Sequence, residues 1–264
     1  MGVKLVALDI DGTIVAHGQE LPSERVTHAV RALREAGIVV ILASGRMFPG
    51  TAKIARHLGL AEPVICQQGC SVHTLDGRTL HEFPIPRPQA IEIVEYAREL
   101  AHPYEWFNPV RYLVSRETQS AHEYSRLSGI TPEFVDRPEL SEVIPTGVGI
   151  ISSHAEAGGI HRHLASVHGD LLHVLDFPEV TVAVAADANK GHAMSLVCAD
   201  MGIARHETVA IGDSVNDAPM LAWAGRGIAT ARGDRYALDA ANEVLEDGEE
   251  AVARYLEDLA AEHG

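Results

Sequence analysis

The pentapeptide Asp9-Ile10-Asp11-Gly12-Thr13 carries two carboxylates two residues apart. In extended backbone such residues point to the same side, so Asp9 and Asp11 can face one pocket while Ile10 faces a core. Gly12 permits a sharp turn, although two solvated carboxylates and a turn glycine would look the same. Ser44-Gly45-Arg46 offers a hydroxyl and free backbone N–H groups to an anion, where the sequence predicts a helix start. An N-cap followed by a surface arginine has the same appearance. Lys190 opens a later predicted helix and would bring a compact positive charge. Gly212-Asp213-Ser214-Val215-Asn216-Asp217 sets two carboxylates and an amide on one loop, and hard oxygen donors of this kind suit Mg²⁺. Together these supply a carboxylate nucleophile, a second carboxyl for proton transfer, metal ligands, and a hydroxyl and ammonium to hold a transferring group. That set is what phosphoryl transfer through a covalent aspartyl-phosphate requires.

Each turn must be carried by an element that ends beside it. Val3–Leu8 is a short apolar run interrupted by Lys4, as expected of a buried parallel strand that stops at Asp9. From Ser23 a helical period places Val26, Ala29, Val30 and Leu33 on one face, and Gly37 stands where a helix terminates. Ile38–Ala43 is a second β-branched run ending at Ser44, and Pro63–Cys66 a third ending in Gln67-Gln68-Gly69. The same alternation returns late, with a helix near 191–201, a strand at Thr208–Ile211, a helix over 217–224 and a short strand at 227–229. A last helix puts Val252, Tyr255, Leu256 and Leu259 on one side. Strands alternating with helices predict a Rossmann-like parallel α/β sheet, in which ligands gather at the carboxyl ends of the strands.

The segment 84–187 reads differently. Pro84, Pro86 and Pro88 make a stiff entry, a helix follows through Ile91, Val94 and Ala97, and strand-like runs occur at 111–114, 147–151 and 180–184. This α+β pattern predicts a domain inserted into a discontinuous core formed by 1–83 and 188–264. Trp106, Phe107 and Tyr112 are expected mainly as its core, with a substrate-lining role as the rival reading.

Composition narrows the function further. A chain of 264 residues, 46% hydrophobic and 22% charged, is long enough for one large or two smaller packed domains. Lys and Arg total 21 against 37 Asp and Glu, a net charge of −16, so the field needed for nucleic acid or an anionic membrane is missing. The amino terminus shows no targeting segment, and no apolar run approaches a membrane span. Three cysteines, an odd number, suit a reducing compartment, and a cytoplasmic protein acting as monomer or homodimer is expected. Cys66 and Cys70 lack zinc-like partners, and His161 and His163 are expected as ordinary members of a set of 15 histidines rather than ligands.

The four polar motifs, in this order, resemble the haloacid dehalogenase (HAD) superfamily, in its Cof-type branch of phosphatases with a large C2-type cap. Motif one matches Asp9, Asp11, Gly12 and Thr13, motif two Ser44 with Gly45-Arg46, motif three Lys190, and motif four Gly212, Asp213, Asn216 and Asp217. The resemblance implies that Asp9 is the nucleophile and Asp11 the acid–base group. It implies Mg²⁺ held by Asp9, Asp11, Asp213 and Asp217, and phosphate bound by Ser44, Gly45, Arg46, Lys190 and Asn216. It further implies a HAD-like core with the insert 84–187 as a C2-type cap that sets specificity, and a small phosphomonoester such as a sugar phosphate as substrate. Two departures stand out. Gln68-Gly69 occupies a place where relatives often carry Asn-Gly, and Thr230-Ala231-Arg232-Gly233 replaces the more usual Met-Gly-Asn-Ala. A phosphomutase of the same fold would return phosphate to an intermediate instead of water, and a non-catalytic phosphometabolite-binding protein would bind without turnover.

Overall fold

The computed structural model describes residues 2–246 and 248–263. Its first stretch holds β1 (Leu5–Leu8), α1 (Glu24–Glu35), β2 (Val39–Leu42), α2 (Phe48–His57), β3 (Val64–Cys66), β4 (Ser71–His73) and β5 (Thr79–Glu82). The middle holds α3 (Arg87–Glu99), β6 (Tyr104–Phe107), β7 (Tyr112–Val114), α4 (Gln119–Ser128), β8 (Glu133–Phe134), β9 (Gly147–Ile151), α5 (His154–His168), β10 (Leu172–Asp176) and β11 (Val180–Ala185). The last stretch holds α6 (Lys190–Met201), β12 (Thr208–Gly212), α7 (Ala218–Trp223), β13 (Arg226–Thr230), α8 (Arg235–Ala240), β14 (Glu243–Leu245) and α9 (Glu249–Ala261). Contacts divide the chain into one unit of Met1–Gly45, Thr51–Leu80 and Asn189–Gly264, and a second of Arg46–Gly50 and His81–Ala188.

The first unit is built on a parallel sheet in the order β14-β13-β12-β1-β2. All four residues of β1 are buried, as a central strand covered on both faces must be. Alternate residues sort to opposite sides: Leu5, Ala7, Ile41 and Ala43 pack with Met194 and Val197 of α6 and Met220 and Leu221 of α7. Helix α1 begins where Ser23 accepts a hydrogen bond from the Val26 amide, buries Val26, Ala29, Val30 and Leu33, and ends before Gly37 at φ +82°. The expected helix start at Ser44 is not observed. Residues 44–47 form an irregular passage and α2 opens at Phe48, so Ser44 is no N-cap. Among the described residues no helix is long and apolar enough to cross a membrane.

The second unit is α+β. Its six strands run β10-β11-β9-β6-β7-β8, antiparallel except for the β7–β8 pair. One face carries Tyr104, Trp106, Leu113, Val148 and Ile150 against Ala90, Ile93 and Val94 of α3 and Ile160 and Leu164 of α5. Trp106 is therefore core, but Phe107 and Tyr112, two-residue alternation dictating, lie on the opposite face, where their rings meet edge-on. Residues 46–50 join this unit because Met47 N–H donates to Ser128 Oγ at 3.1 Å and Gly50 lies against the Leu127 and Ser128 backbone of α4. The Pro-rich entry ends in α3, with Pro88 in its first turn where the missing N–H has no partner to lose. His161 meets the Val174 carbonyl at 3.3 Å and His163 stacks on Tyr96, so both are packing residues.

Candidate active site

Strand register sets the site before any side chain is considered. Leu8 lies opposite Ile211 on one side and Leu42 on the other, so Asp9, Ser44 and Asp213 leave the sheet along one edge with Asp9 in the middle. The connections from β1 and from β12 run to opposite sides there, which is where open α/β sheets bind ligands.

Into this edge comes the first residue of α6. Asn189 caps the helix, accepting a hydrogen bond from the His192 amide at 2.8 Å, and fixes the direction in which Lys190 leaves the backbone. Lys190 is wholly buried, its ammonium donating to Asp9 Oδ1 at 2.6 Å and Asp217 Oδ1 at 2.5 Å. Burial alone would lower its pKa, but Asp217 and Asp9 outweigh that and hold it above the ordinary lysine range. Gly69 backs this helix start: a Cβ there would lie 2.2 Å from the Asn189 carbonyl carbon.

Asp213 is fixed from two sides. Thr13 Oγ1 donates to its Oδ1 at 3.0 Å, and Gly12, at φ +86°, approaches so closely that a Cβ would meet Oδ2 at 2.5 Å. Asp217 Oδ2 accepts the amides of Asp213 and Ser214, each at 3.0 Å, so its two oxygens hold the loop and Lys190 together. Ligand oxygens of Asp9, Asp213 and Asp217 fall within 4.8 Å of one another. Three carboxylates thus face one ammonium. Asp9 is raised well above the usual carboxylate range by burial and then by Asp217, and Asp213 is pushed up to about 6 by the same two causes. The excess negative charge in a buried set of hard oxygen donors fits a divalent cation.

Asn216 completes the loop through a relay that sequence reading missed. Ser214 Oγ donates to Asn216 Oδ1 at 2.6 Å, and Asn216 Nδ2 donates to Gln68 Oε1. The Gln68 amide lies beside Gly45, 2.9 Å from where a Cβ would stand. Gln67, Gln68 and Gly69 all have positive φ, of 50°, 65° and 101°, an uncommon run for two non-glycine residues. The signal available in sequence was the Gln-Gly pair after an apolar strand. Asp11 lies half-buried in the turn after β1, its backbone bridged to Val15, and is outside the close carboxylate set. Arg46 is buried and groups by contacts with the second unit.

The model of the haloacid dehalogenase-like hydrolase family matches residues 6–256, and the chain belongs to that family. It is similar to the phosphatase YwpJ of Bacillus subtilis, 26% identical over 290 residues that cover 97% of this chain and all of the relative. It is also similar to the 5-amino-6-(5-phospho-D-ribitylamino)uracil phosphatase YitU of the same organism, 23% identical with 96% of each chain covered. The crystal structure of a haloacid dehalogenase-like hydrolase from Bacteroides thetaiotaomicron superposes with a TM-score of 0.84 at 21% identity, covering 97% of this chain and 99% of the other.

Proposed function

We propose that this chain is a Mg²⁺-dependent phosphatase that hydrolyses a small phosphomonoester, such as a sugar phosphate, through an aspartyl-phosphate on Asp9. The observation that carries this reading is the buried Lys190 ammonium held between Asp9 and Asp217, with Asp213 beside them. The phosphatase names of the two relatives support the reaction class.

In this reading an oxygen of Asp9 attacks phosphorus and the bond to the leaving alcohol breaks, Asp11 giving the alcohol its proton. Asp11 then takes a proton from water as the water oxygen attacks phosphorus and the Asp9–phosphate bond breaks, releasing inorganic phosphate. Lys190, Ser44, Gly45, Arg46 and Asn216 hold phosphoryl oxygens, and Lys190 also fixes the rotamer of Asp9. Asp9, Asp213 and the main chain of Asp11 would hold Mg²⁺, with Asp217 beside them. When bound, the ion supplies neutralisation of the charge that gathers on the phosphoryl oxygens. The insert 84–187 acts as a specificity cap and recognises the remainder of the substrate.

The test is phosphate release from a panel of small phosphomonoesters, with and without Mg²⁺, by the wild-type chain and Asp9→Asn. Mg²⁺-dependent release that the variant abolishes is the expected result. Full activity in Asp9→Asn would refute the nucleophile, isomerised ester without free phosphate would favour a mutase, and binding without turnover a sensor.

A further inference from the structure

The turn after β3 is held in a conformation that its residues do not favour. Gln67 and Gln68 both sit in the left-handed region, at φ 50° and 65°, which glycine adopts freely and a side chain adopts only under constraint. Strain of this kind persists where the surroundings impose it, and it concentrates at functional sites. Gln68 has two such ties. Its backbone N–H donates to the Ser44 carbonyl at 3.1 Å, and its Oε1 accepts from Asn216 Nδ2. Ser44 follows β2 and Asn216 follows β12, with β1 between those strands in the sheet, so Gln68 bridges the two flanks of Asp9. All of these residues belong to the first unit. Gly45 makes the crossing possible, since a Cβ there would stand 2.9 Å from both polar atoms of the Gln68 carboxamide.

What the bridge controls is Asn216. This residue is only 8% exposed, and the orientation of a carboxamide so buried is set by its partners. Ser214 Oγ donates to Oδ1 at 2.6 Å and Gln68 takes one of the two Nδ2 hydrogens, which leaves the second for a ligand. A serine hydroxyl can donate or accept, so Ser214 tolerates either orientation of the amide. The carboxamide oxygen of Gln68 only accepts, and it keeps Nδ2 on its own side. Glycine at 68 would relax the turn and lose the bridge, so the strain is explained by what the side chain reaches.

We propose that Gln68 is a positioning residue for phosphate binding, which holds Nδ2 of Asn216 so that the remaining N–H of that amide is presented to a phosphoryl oxygen. The proposal rests on the phosphatase reading above, in which Asn216 holds the phosphoryl group. It gives Gln68 no contact with substrate, so the effect of Gln68 must pass wholly through Asn216.

The experiment is a double-mutant cycle of Gln68→Gly, Asn216→Ala and the pair, with p-nitrophenyl phosphate and glucose 6-phosphate as substrates in Mg²⁺ and inorganic phosphate as competing ligand. Gln68→Gly is expected to lose about tenfold in kcat/KM and to weaken inhibition by inorganic phosphate by about the same factor. Its melting temperature is at or above that of wild type, because glycine relaxes the φ of 65°. Asn216→Ala is expected to lose about a hundredfold, and the double variant no more than about twofold beyond that. Losses that multiply, to about a thousandfold in the pair, overturn the proposal, because Gln68 would then act on something other than Asn216. So would full activity in Gln68→Gly, or a loss of activity accompanied by a lower melting temperature. In each of these cases wild-type turnover leaves the phosphatase reading intact, whereas a wild-type chain inert toward both esters would remove both.

Discussion

At Lys190 the local sequence and the tertiary environment pull against each other. A lysine at a helix start is ordinarily solvated, yet here the side chain has no exposure and its ammonium lies between Asp9 and Asp217. The ion pairs are what make that burial tolerable, and their removal is correspondingly severe. Lys190→Met leaves two buried carboxylates without their cation and is expected to lower stability by about 3–5 kcal/mol, along with all turnover. Urea unfolding at neutral pH checks this, and an unchanged midpoint would show that the triad is not closed in solution. By contrast, other residues singled out in sequence pack into the fold: His163 stacks on Tyr96, Trp106 sits in the core of its sheet, and Cys66 and Cys70 are buried thiols.

Elements matter here chiefly through how closely their backbones approach. The Gln67–Gly69 turn presses on the start of α6, with Gly69 at φ +101° and 2.2 Å of clearance for a Cβ against Asn189. Gly69→Ala therefore has to push the Asn189–Lys190 peptide away or distort its own turn, at about 1–3 kcal/mol. The expected outcome is a loss of activity larger than the loss of stability explains, because the displaced peptide carries Lys190. Gly202, at φ +69° beyond the other end of the same helix, has nothing within 4 Å of its Cβ direction. Gly202→Ala should cost about 1 kcal/mol of stability from backbone strain and leave kcat unchanged. Comparing thermal melts and turnover for the two variants separates close approach from mere loss of glycine. If both lose activity equally, the account of α6 positioning is wrong.

For the whole molecule, acid sensitivity follows from opposed buried groups. Burial lowers His73, on β4, to about 4, whereas an unfolded chain takes up that proton near 6.5. Between those values the unfolded state binds more protons, so this histidine contributes stability that is present above pH 6.5 and lost as pH falls toward 4. Glu105 works in the other direction: its raised pKa gives stability that is full below about 4.5 and lost as pH rises through about 7. His73→Gln is expected to remove about 2–3 kcal/mol of the stability difference between pH 7.5 and pH 4.5, and Glu105→Gln to make that difference larger. Denaturant titrations of the three proteins at both pH values measure these slopes, and parallel curves for wild type and His73→Gln would contradict the buried neutral imidazole.

How much of this was legible from residues alone depended on whether the signal was local. The strands at β1, β2 and β12, the helix α1 with its Ser23 cap and the order of the polar motifs could all be read directly, because each is a short-range pattern of apolar period, cap and turn. Strand β6, helices α4 and α5 and strand β10 were not read, since their apolar residues are interleaved with His, Ser and Glu that only packing reconciles with regular structure. The helix start assigned to Ser44 failed for a related reason: a hydroxyl before Gly-Arg has the look of a cap, but the chain runs irregularly to Phe48 while Met47 bonds to Ser128. Sequence by itself thus determined the family, the α/β class and the residue types available for chemistry, because motifs and periodicities are properties of neighbouring residues. Tertiary structure decided which carboxylates share the Lys190 ammonium, that Gln68 reaches Asn216, and that Glu105 lies buried against the Tyr112 hydroxyl. Those depend on strand register and on backbones approaching across long stretches of chain, and no local pattern encodes them.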